Sequence, residues 1–296
     1  MKGNDYIIKI NEKLISTDGS IKYLFELDDK HLFFEAVYFT HIEQGETLTS
    51  ICLSSQVGCS VGCIFCASGV TNFRCNLSSK VLIEVTEYIL KDNNNDGKNV
   101  FIAIMGMGEP LFNLDSIIEY YSLSKEKCNV FAHSISTIVI PEKLRKLAES
   151  HANYDLYVSL HSASFSKRTK LIPISANFDL QDVLESCNYY YSKKLSSFGE
   201  KIKFSYLLLE GINSNKSDID ELIKLLKNNV VNDTYQVQLL MYNKNDGMLF
   251  NRVSDLHASE ILNYICNSGI DAYLKPSKGT DILGGCGQLA GRKLKQ

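Results

Sequence analysis

The sequence predicts an α/β fold, a partial (β/α)6 barrel with an N-terminal β-hairpin extension, and three observations carry that expectation. Apolar, β-rich runs alternate with helix-period segments along most of the 296 residues, the pattern of parallel βα units. Residues with unusual chemistry fall at the C-terminal ends of successive strands, where βα loops build active sites in barrels. With 45% hydrophobic residues, the chain can bury one sizeable core.

The elements follow in order. Residues 20–39 hold two apolar runs around Asp28 and Asp29 and read as a β-hairpin. A β-rich run at 47–54 is the first barrel strand, and a helical pattern at 78–92 follows it. The alternation continues with strand 99–106, helix 114–127, strand 133–140, helix 141–150 and strand 155–162. Helix 179–193, strand 201–209, helix 216–228, strand 234–242, helix 255–268 and a last strand at 270–275 complete it. The chain thus divides into an extension, residues 1–46, and a barrel, residues 47–296, without low-complexity linkers or short repeats. Cys59, Cys63 and Cys66 come after the first strand, and the GMGEP stretch at 106–110 after the second. Ser136 lies on the third, Ser159, Leu160 and His161 end the fourth, and Asn243 ends the sixth.

Composition narrows the setting. Net charge is −3, from 31 basic and 34 acidic residues, so no global field draws nucleic acid and any such binding needs a local patch. No apolar run approaches the length of a membrane span, and MKGNDYIIKI lacks the charged, apolar and small-residue sections of a secretory signal. The expectation is a cytoplasmic protein with no membrane association. In that compartment an odd nine cysteines argue against a disulfide framework and for ligands or catalysts.

Four of the nine crowd into CLSSQVGCSVGCIFC, residues 52–66. The C-x3-C-x2-C spacing of Cys59, Cys63 and Cys66 offers three thiolates, enough for three irons of a 4Fe–4S cluster with the fourth left open to a small molecule. Zinc is the rival, although a structural zinc site wants a fourth ligand and usually a second C-x2-C pair. Packing as small hydrophobes is the remaining reading, and it suits isolated Cys75, Cys128, Cys187 and Cys266 better.

The cysteine loop, with Phe65 just before its last cysteine, resembles that of the radical S-adenosylmethionine (SAM) enzymes. More narrowly, CLSSQVGC, MGMGEPLFN, SLHSA and DILGGCGQLAG together resemble the RlmN/Cfr family, which methylates carbon 2 or carbon 8 of an adenosine in large-subunit ribosomal RNA. The match runs from about Ser16 to about Gly291. The resemblance implies a radical SAM barrel in which Cys59, Cys63 and Cys66 hold a [4Fe–4S] cluster whose open iron chelates the amino and carboxylate groups of SAM. It implies that Gly108 and Glu109 receive the methionine amine, and that Ser136, Ser159, Leu160, His161 and Asn243 surround the rest of SAM.

Adenine carbons 2 and 8 are electrophilic, so a methyl cation cannot be handed to them directly. The family methylates a protein cysteine first, and here the match is Cys286 in GGCGQ. A radical formed on a second SAM activates that methyl group, which adds to the base and leaves enzyme and RNA joined. By the same resemblance Cys52 is the thiol that releases the product by forming a disulfide, and Glu35 is the carboxylate that takes the proton from the carbon receiving the methylene. The stretch from Glu35 to Cys52 is a few residues longer than is usual in the family, and a solvated hairpin-edge carboxylate is the alternative reading of Glu35.

Family members carry a small helical accessory domain before the hairpin, whereas this chain starts about where the hairpin does. The resemblance therefore implies a ribosomal or transfer RNA substrate while leaving a smaller adenine-containing molecule open. It also implies a monomer served by a reductant such as flavodoxin or ferredoxin. Lys275, Lys278, Arg292, Lys293 and Lys295 are candidates for phosphate contact, although lysine runs are more often solvated faces.

Overall fold

A computed structural model describes residues 8–27, 31–43, 46–245 and 247–291. The chain opens with an antiparallel meander of four strands, β1 (Ile8–Ile15), β2 (Ile21–Leu27), β3 (Leu32–Glu43) and β4 (Glu46–Leu53). A two-residue ladder between β5 (Gln56–Val57) and β6 (Cys75–Asn76) then closes the neck of the cysteine loop. Beyond it come α1 (Ser79–Asp92), β7 (Val100–Ile104), α2 (Leu114–Cys128), β8 (Ala132–Thr137), α3 (Pro141–Glu149) and β9 (Asp155–Ser159). The series ends with α4 (Phe165–Leu171), α5 (Leu180–Tyr190), β10 (Ile202–Leu208), α6 (Lys216–Asn229), β11 (Tyr235–Met241), α7 (Asp255–Asn267) and β12 (Ala272–Lys275).

Ten strands form one sheet in the order β1-β2-β3-β4-β7-β8-β9-β10-β11-β12. All pairings from β4 onward are parallel, so six βα units and a seventh strand, β12, make the expected partial barrel. β4 pairs antiparallel with β3 on one edge and parallel with β7 on the other. The expected division at residue 46 thus falls on the strand that joins the extension to the barrel, and the two share one sheet. Strand interiors are apolar and helices cover the outside; Ile102, Ile135, Leu156, Val158, Phe204, Val237 and Leu239 are fully buried. Several helices begin on side-chain caps: Ser78 Oγ accepts from Val81 N at 3.3 Å and Ser254 Oγ from His257 N at 3.1 Å, satisfying amides that have no helical partner.

Three differences from the expected elements have physical causes. β1 is a half-exposed edge strand in which Lys9, Asn11, Glu12 and Lys13 blur the apolar alternation. The seven-residue α4, FSKRTKL, is too short and too cationic to show a helical stripe. The strands expected to reach 140 and 162 stop at Thr137 and Ser159, because Val139 (φ 65) and His161 (φ 57) turn into the left-handed region. Such a turn in a β-branched residue costs about 1–3 kcal/mol and is held only where surroundings enforce it. Here the enforced turns face the site.

Candidate active site

Strand ends β7–β11, the cysteine loop and the segment after β12 enclose a cavity of about 180 Å³. Cys59, Cys63 and Cys66 line it together with Gly108, Glu109, Ser136, Ser159, His161 and Cys286. Burial pushes the Cys59 thiol up to about 12 and raises Cys63 and Cys66 as well, with neighbouring cysteines adding to the rise of Cys63. Unless a positive partner arrives, these groups stay thiols. Among the described residues no three His, Cys, Asp or Glu side chains converge as a single-ion site. A cluster asks for something looser, since each of three irons takes one sulfur.

Behind the cavity wall lies Arg168 of α4, 2% exposed. Its Nη2 donates to the carbonyls of Ile138 at 2.8 Å and Ser159 at 3.4 Å, and its Nε has no partner among the described residues. Burial lowers its guanidinium to about 10, and Cys63 is the first group opposing that fall. A buried cation with an orphaned N–H near Cys63 is a surrounding in which an anionic group is stabilised. The donor set and this charge fit a [4Fe–4S] cluster.

The cysteine loop is tightly folded. Ile64 N donates to Leu171 O at 3.1 Å, and Gly69 N to Cys66 O at 2.9 Å. A Cβ built on Gly69 would lie 2.2 Å from the Cys63 carbonyl oxygen, closer than any relaxation of a side chain can cure. Gly69→Ala is therefore expected to displace Cys63 and to lower iron incorporated on anaerobic reconstitution several-fold while the far-ultraviolet circular dichroism stays native; full iron content would show that the loop tolerates the shift.

Glu109 ends the loop after β7. Its Oε1 accepts from Thr137 Oγ1 at 2.6 Å and Leu111 N at 3.0 Å, and its Oε2 from Ile138 N at 3.0 Å. Burial pushes its carboxyl up to about 7 against those three hydrogen bonds. Gly108 has φ +98, and a Cβ there would meet Gln56 Cβ at 2.6 Å, so only glycine brings this backbone to the wall. His161 Nδ1 accepts from Leu207 N at 3.1 Å, and burial lowers the imidazole to about 3. The neutral ring then carries its hydrogen on Nε2, in a ring that lines the cavity. Ser136 Oγ and Ser159 Oγ lie 3.3 Å apart on neighbouring strands. Strand register sets Ser159, Ser205 and Gln238 side by side, a polar row inside the barrel.

Cys286 is exposed on a segment pinned from two sides. Asn243 Nδ2 donates to Cys286 O at 3.1 Å, Asn245 Nδ2 to Gly287 O at 3.0 Å, and Ala67 N to Gly287 O at 2.8 Å. Cys52, opposite Val37 in the β3–β4 ladder, has its thiol pushed up to about 12 by burial and then by Cys286, while Lys275 pulls it down. Cys286 also acts on Cys66, so both thiols lie within its electrostatic reach. All nine cysteines are free thiols.

Not every expected residue reaches the cavity wall. Leu160 is fully buried in the core, Asn243 serves the Cys286 segment, and neither lines the cavity. Glu35 is also off the wall, 1% exposed: its Oε1 lies 3.3 Å from Lys22 Nζ and its Oε2 accepts from Ala290 N at 2.8 Å. Lys275 lines the cavity and Lys278 is partly exposed; Arg292, Lys293 and Lys295 lie outside the described residues. Sequence reasoning passed over Arg168, Asn245, Ser205 and Gln238. Polar side chains in the interior of otherwise apolar strands could have flagged the last two.

Residues 53–226 match the Radical SAM superfamily. The chain is 34% identical over 290 residues to a probable dual-specificity RNA methyltransferase RlmN of Dictyoglomus turgidum, covering 95% of this chain and 79% of that one. It is 32% identical over 291 residues to its counterpart in Petrotoga mobilis, covering 97% and 79%. The crystal structure of a radical SAM methyltransferase from Sphaerobacter thermophilus superposes with a TM-score of 0.87 at 27% identity, over 97% of this chain and 82% of that one. No described helix is long and apolar enough to cross a membrane. Barrel, cysteine loop and sequence agree: the chain is a radical SAM methyltransferase and belongs to the RlmN family.

Proposed function

We propose that this enzyme methylates carbon 2 or carbon 8 of an adenosine in RNA, with Cys286 as the carrier of the methyl group. The observation that carries this reading is the placement of Cys286, at a cavity lined by three loop thiols and beside the partly buried Cys52. A structural cluster would need neither of the two extra thiols. When bound, the cluster and SAM supply the electron, the methyl group and the radical chemistry. Cys59, Cys63 and Cys66 would hold the cluster, and Arg168 would balance its negative charge.

Gly108 and Glu109 would receive the amine of SAM. His161 Nε2 and the hydroxyls of Ser136 and Ser159 offer polar contacts along the same wall. Cys286 Sγ accepts the methyl group, and the loop hydrogen bonds hold that sulfur at the cavity mouth. After the methylene has joined the base, the base carbon would give up its hydrogen as a proton and one electron to the cluster, and Cys52 Sγ, as the thiolate, then attacks Cys286 Sγ. A disulfide forms, the bond from sulfur to the methylene breaks, and its electron pair stays on the departing carbon and is protonated. A thiol reductant restores the pair, and a flavodoxin or ferredoxin serves as electron donor to the cluster. Incubation of RNA with enzyme, reductant and methyl-labelled SAM tests the reading: methyladenosine in the nuclease digest is expected, and label confined to protein, or in no nucleoside, rejects it.

Glu109 gives a binding test. Glu109→Ala removes the buried acceptor at the cavity wall, and SAM affinity of the reconstituted protein is expected to fall about tenfold or more with iron content unchanged, because a hydrogen bond to a charged group contributes about 1.5–3 kcal/mol. Equal affinity by equilibrium dialysis would remove Glu109 from the SAM site.

A further inference from the structure

The partial barrel has an open seam between β12 and the meander, and the segment from 276 to 291 crosses it. At its start the β1–β2 turn holds it: Asp281 accepts from Ser16 Oγ at 2.5 Å and from Thr17 N at 3.0 Å, and Gly279 N donates to Asp18 at 2.9 Å. Beyond Cys286 a different element takes over, the one-turn helix Ala67–Val70 that directly follows Cys66. Ala67 N donates to Gly287 O at 2.8 Å, and Ser68 Oγ donates to Leu289 O at 2.6 Å. Ser68 is 4% exposed, so solvent has little access to that bond. Its hydroxyl also lies within hydrogen-bonding reach of Cys66. One buried side chain thus touches a thiol of the cysteine loop and the backbone of the Cys286 segment.

Both sides of this contact are firmly built. On the loop side, Gly69 N donates to Cys66 O at 2.9 Å, Thr71 N to Ser68 O at 3.2 Å and Thr71 Oγ1 to Ala67 O at 3.1 Å, so the turn after Cys66 is braced by its own bonds. On the other side, Gly285 N donates to Gln288 Oε1 at 3.1 Å, and Gln288 Nε2 donates to Lys244 O at 3.1 Å. A turn closed in this way shifts as a unit, and whatever fixes its ends fixes the sulfur it carries. From this geometry we infer that Ser68 is a positioning residue for the methyl acceptor: its hydroxyl, helped by the Ala67 amide, ties the Cys286 segment to the cysteine loop and keeps Cys286 Sγ at the cavity. The inference rests on the proposed role of Cys286.

Methyl transfer explains why such a tie is useful. Cys286 Sγ loses its proton to solvent and bonds to the methyl carbon, while the bond from that carbon to the sulfonium breaks and leaves its electron pair on the departing thioether. The rate of such a displacement falls steeply when the reacting atoms are held about an ångström out of place. With the three loop thiols as the proposed site of the cluster that receives SAM, a bond from the same loop puts methyl donor and acceptor on one frame. Small movements of the barrel then carry both together. The rival role for Ser68 is to shape the loop itself through Cys66, and the two roles separate in measurement. Ser68→Ala and Ser68→Thr are compared with wild type, each purified without cluster, reconstituted anaerobically and given SAM but no RNA. Iron content, cluster midpoint potential and SAM affinity by equilibrium dialysis report on the loop. Methyl content of the Cys286 peptide over time, by mass spectrometry, reports on placement, and hydrogen exchange at the Ala67 amide reports on the contact.

Ser68→Ala is expected to methylate Cys286 about tenfold more slowly with iron, potential and SAM affinity unchanged, and its Ala67 amide is expected to lose exchange protection as Gly287 O drifts away. Ser68→Thr keeps the hydroxyl and is expected to recover the rate to within a few-fold. Wild-type methylation in Ser68→Ala would overturn the inference. So would a rate that falls only in proportion to iron content or SAM affinity, which would make Ser68 a loop-shaping residue, or a Ser68→Thr enzyme as slow as Ser68→Ala. If wild-type protein takes no methyl on Cys286, the proposed function fails on its own; the exchange measurement still decides the tie, which unchanged protection at Ala67 in Ser68→Ala would refute.

Discussion

Cys286→Ala is expected to form no methylated RNA, a loss at least on the order of 10³-fold, and to show no methyl increment in its intact mass, because the only sulfur proposed to take the methyl group is gone. SAM cleavage is expected to persist in part, since the three loop cysteines are untouched. Cys52→Ala is expected to fail later. It accepts the methyl, reacts once and stays joined to RNA, visible as a retarded band on a denaturing gel after co-expression and abolished by nuclease. The step proposed for Cys52 has its own pH signature. Burial holds the thiol at about 12, far above neutrality, and only the thiolate attacks. The thiolate fraction, and with it the rate of adduct release in wild-type enzyme, is expected to rise about tenfold per pH unit between about pH 7 and 9. Normal turnover by Cys52→Ala, or methylation by Cys286→Ala, sinks the methylcysteine reading.

Loss of any of Cys59, Cys63 or Cys66 is expected to have the other large effect. Each alanine variant removes one of the three proposed sulfur ligands, and two would not hold the cluster. Iron, the brown chromophore and SAM cleavage are expected to vanish together in all three variants. The fold is expected to survive, because the cysteine loop projects from the β5–β6 neck while the main core lies among the strands and helices. Full cluster content in the triple variant would reject the assignment. Arg168→Met probes the same site from behind. Removing the buried cation while the three sulfurs remain is expected to make the cluster harder to reduce, read as a shift of its midpoint potential to more negative values, whereas Arg168→Lys keeps the charge.

The alternation of apolar strands and helices was legible because parallel strands buried on both faces are written as runs such as VFIAI and DLYVS. The cysteine loop, GMGEP and the strand-end Ser159 and His161 were legible because their chemistry stands out against that background. What the sequence hid is relational. Nothing local in KYLF or FFEAV shows that Lys22 and Glu35 meet in the seam, since the β2–β3 register places Glu35 opposite Leu24 and the pair forms diagonally. Nor does local pattern show that Asn243 faces the Cys286 segment or that Leu160 turns into the core. Short α4 and edge strand β1 escaped for a related reason: their positions are stabilised by contacts with distant elements, which leave little periodicity of their own.

The neighbourhood of Cys286, Cys52 and Cys66 changes how these thiols compete with those in solution. Tethered to one framework, well-oriented groups react as though present at effective molarities of about 10⁵–10⁸ M. No millimolar small thiol can match such a concentration. Dithiothreitol added to the Cys52→Ala adduct is therefore expected to release RNA orders of magnitude more slowly than Cys52 does, while still reducing the disulfide left after normal turnover. On the proposed mechanism, product release would be a private reaction of the chain, and the cell's soluble thiols would be left only the task of resetting it.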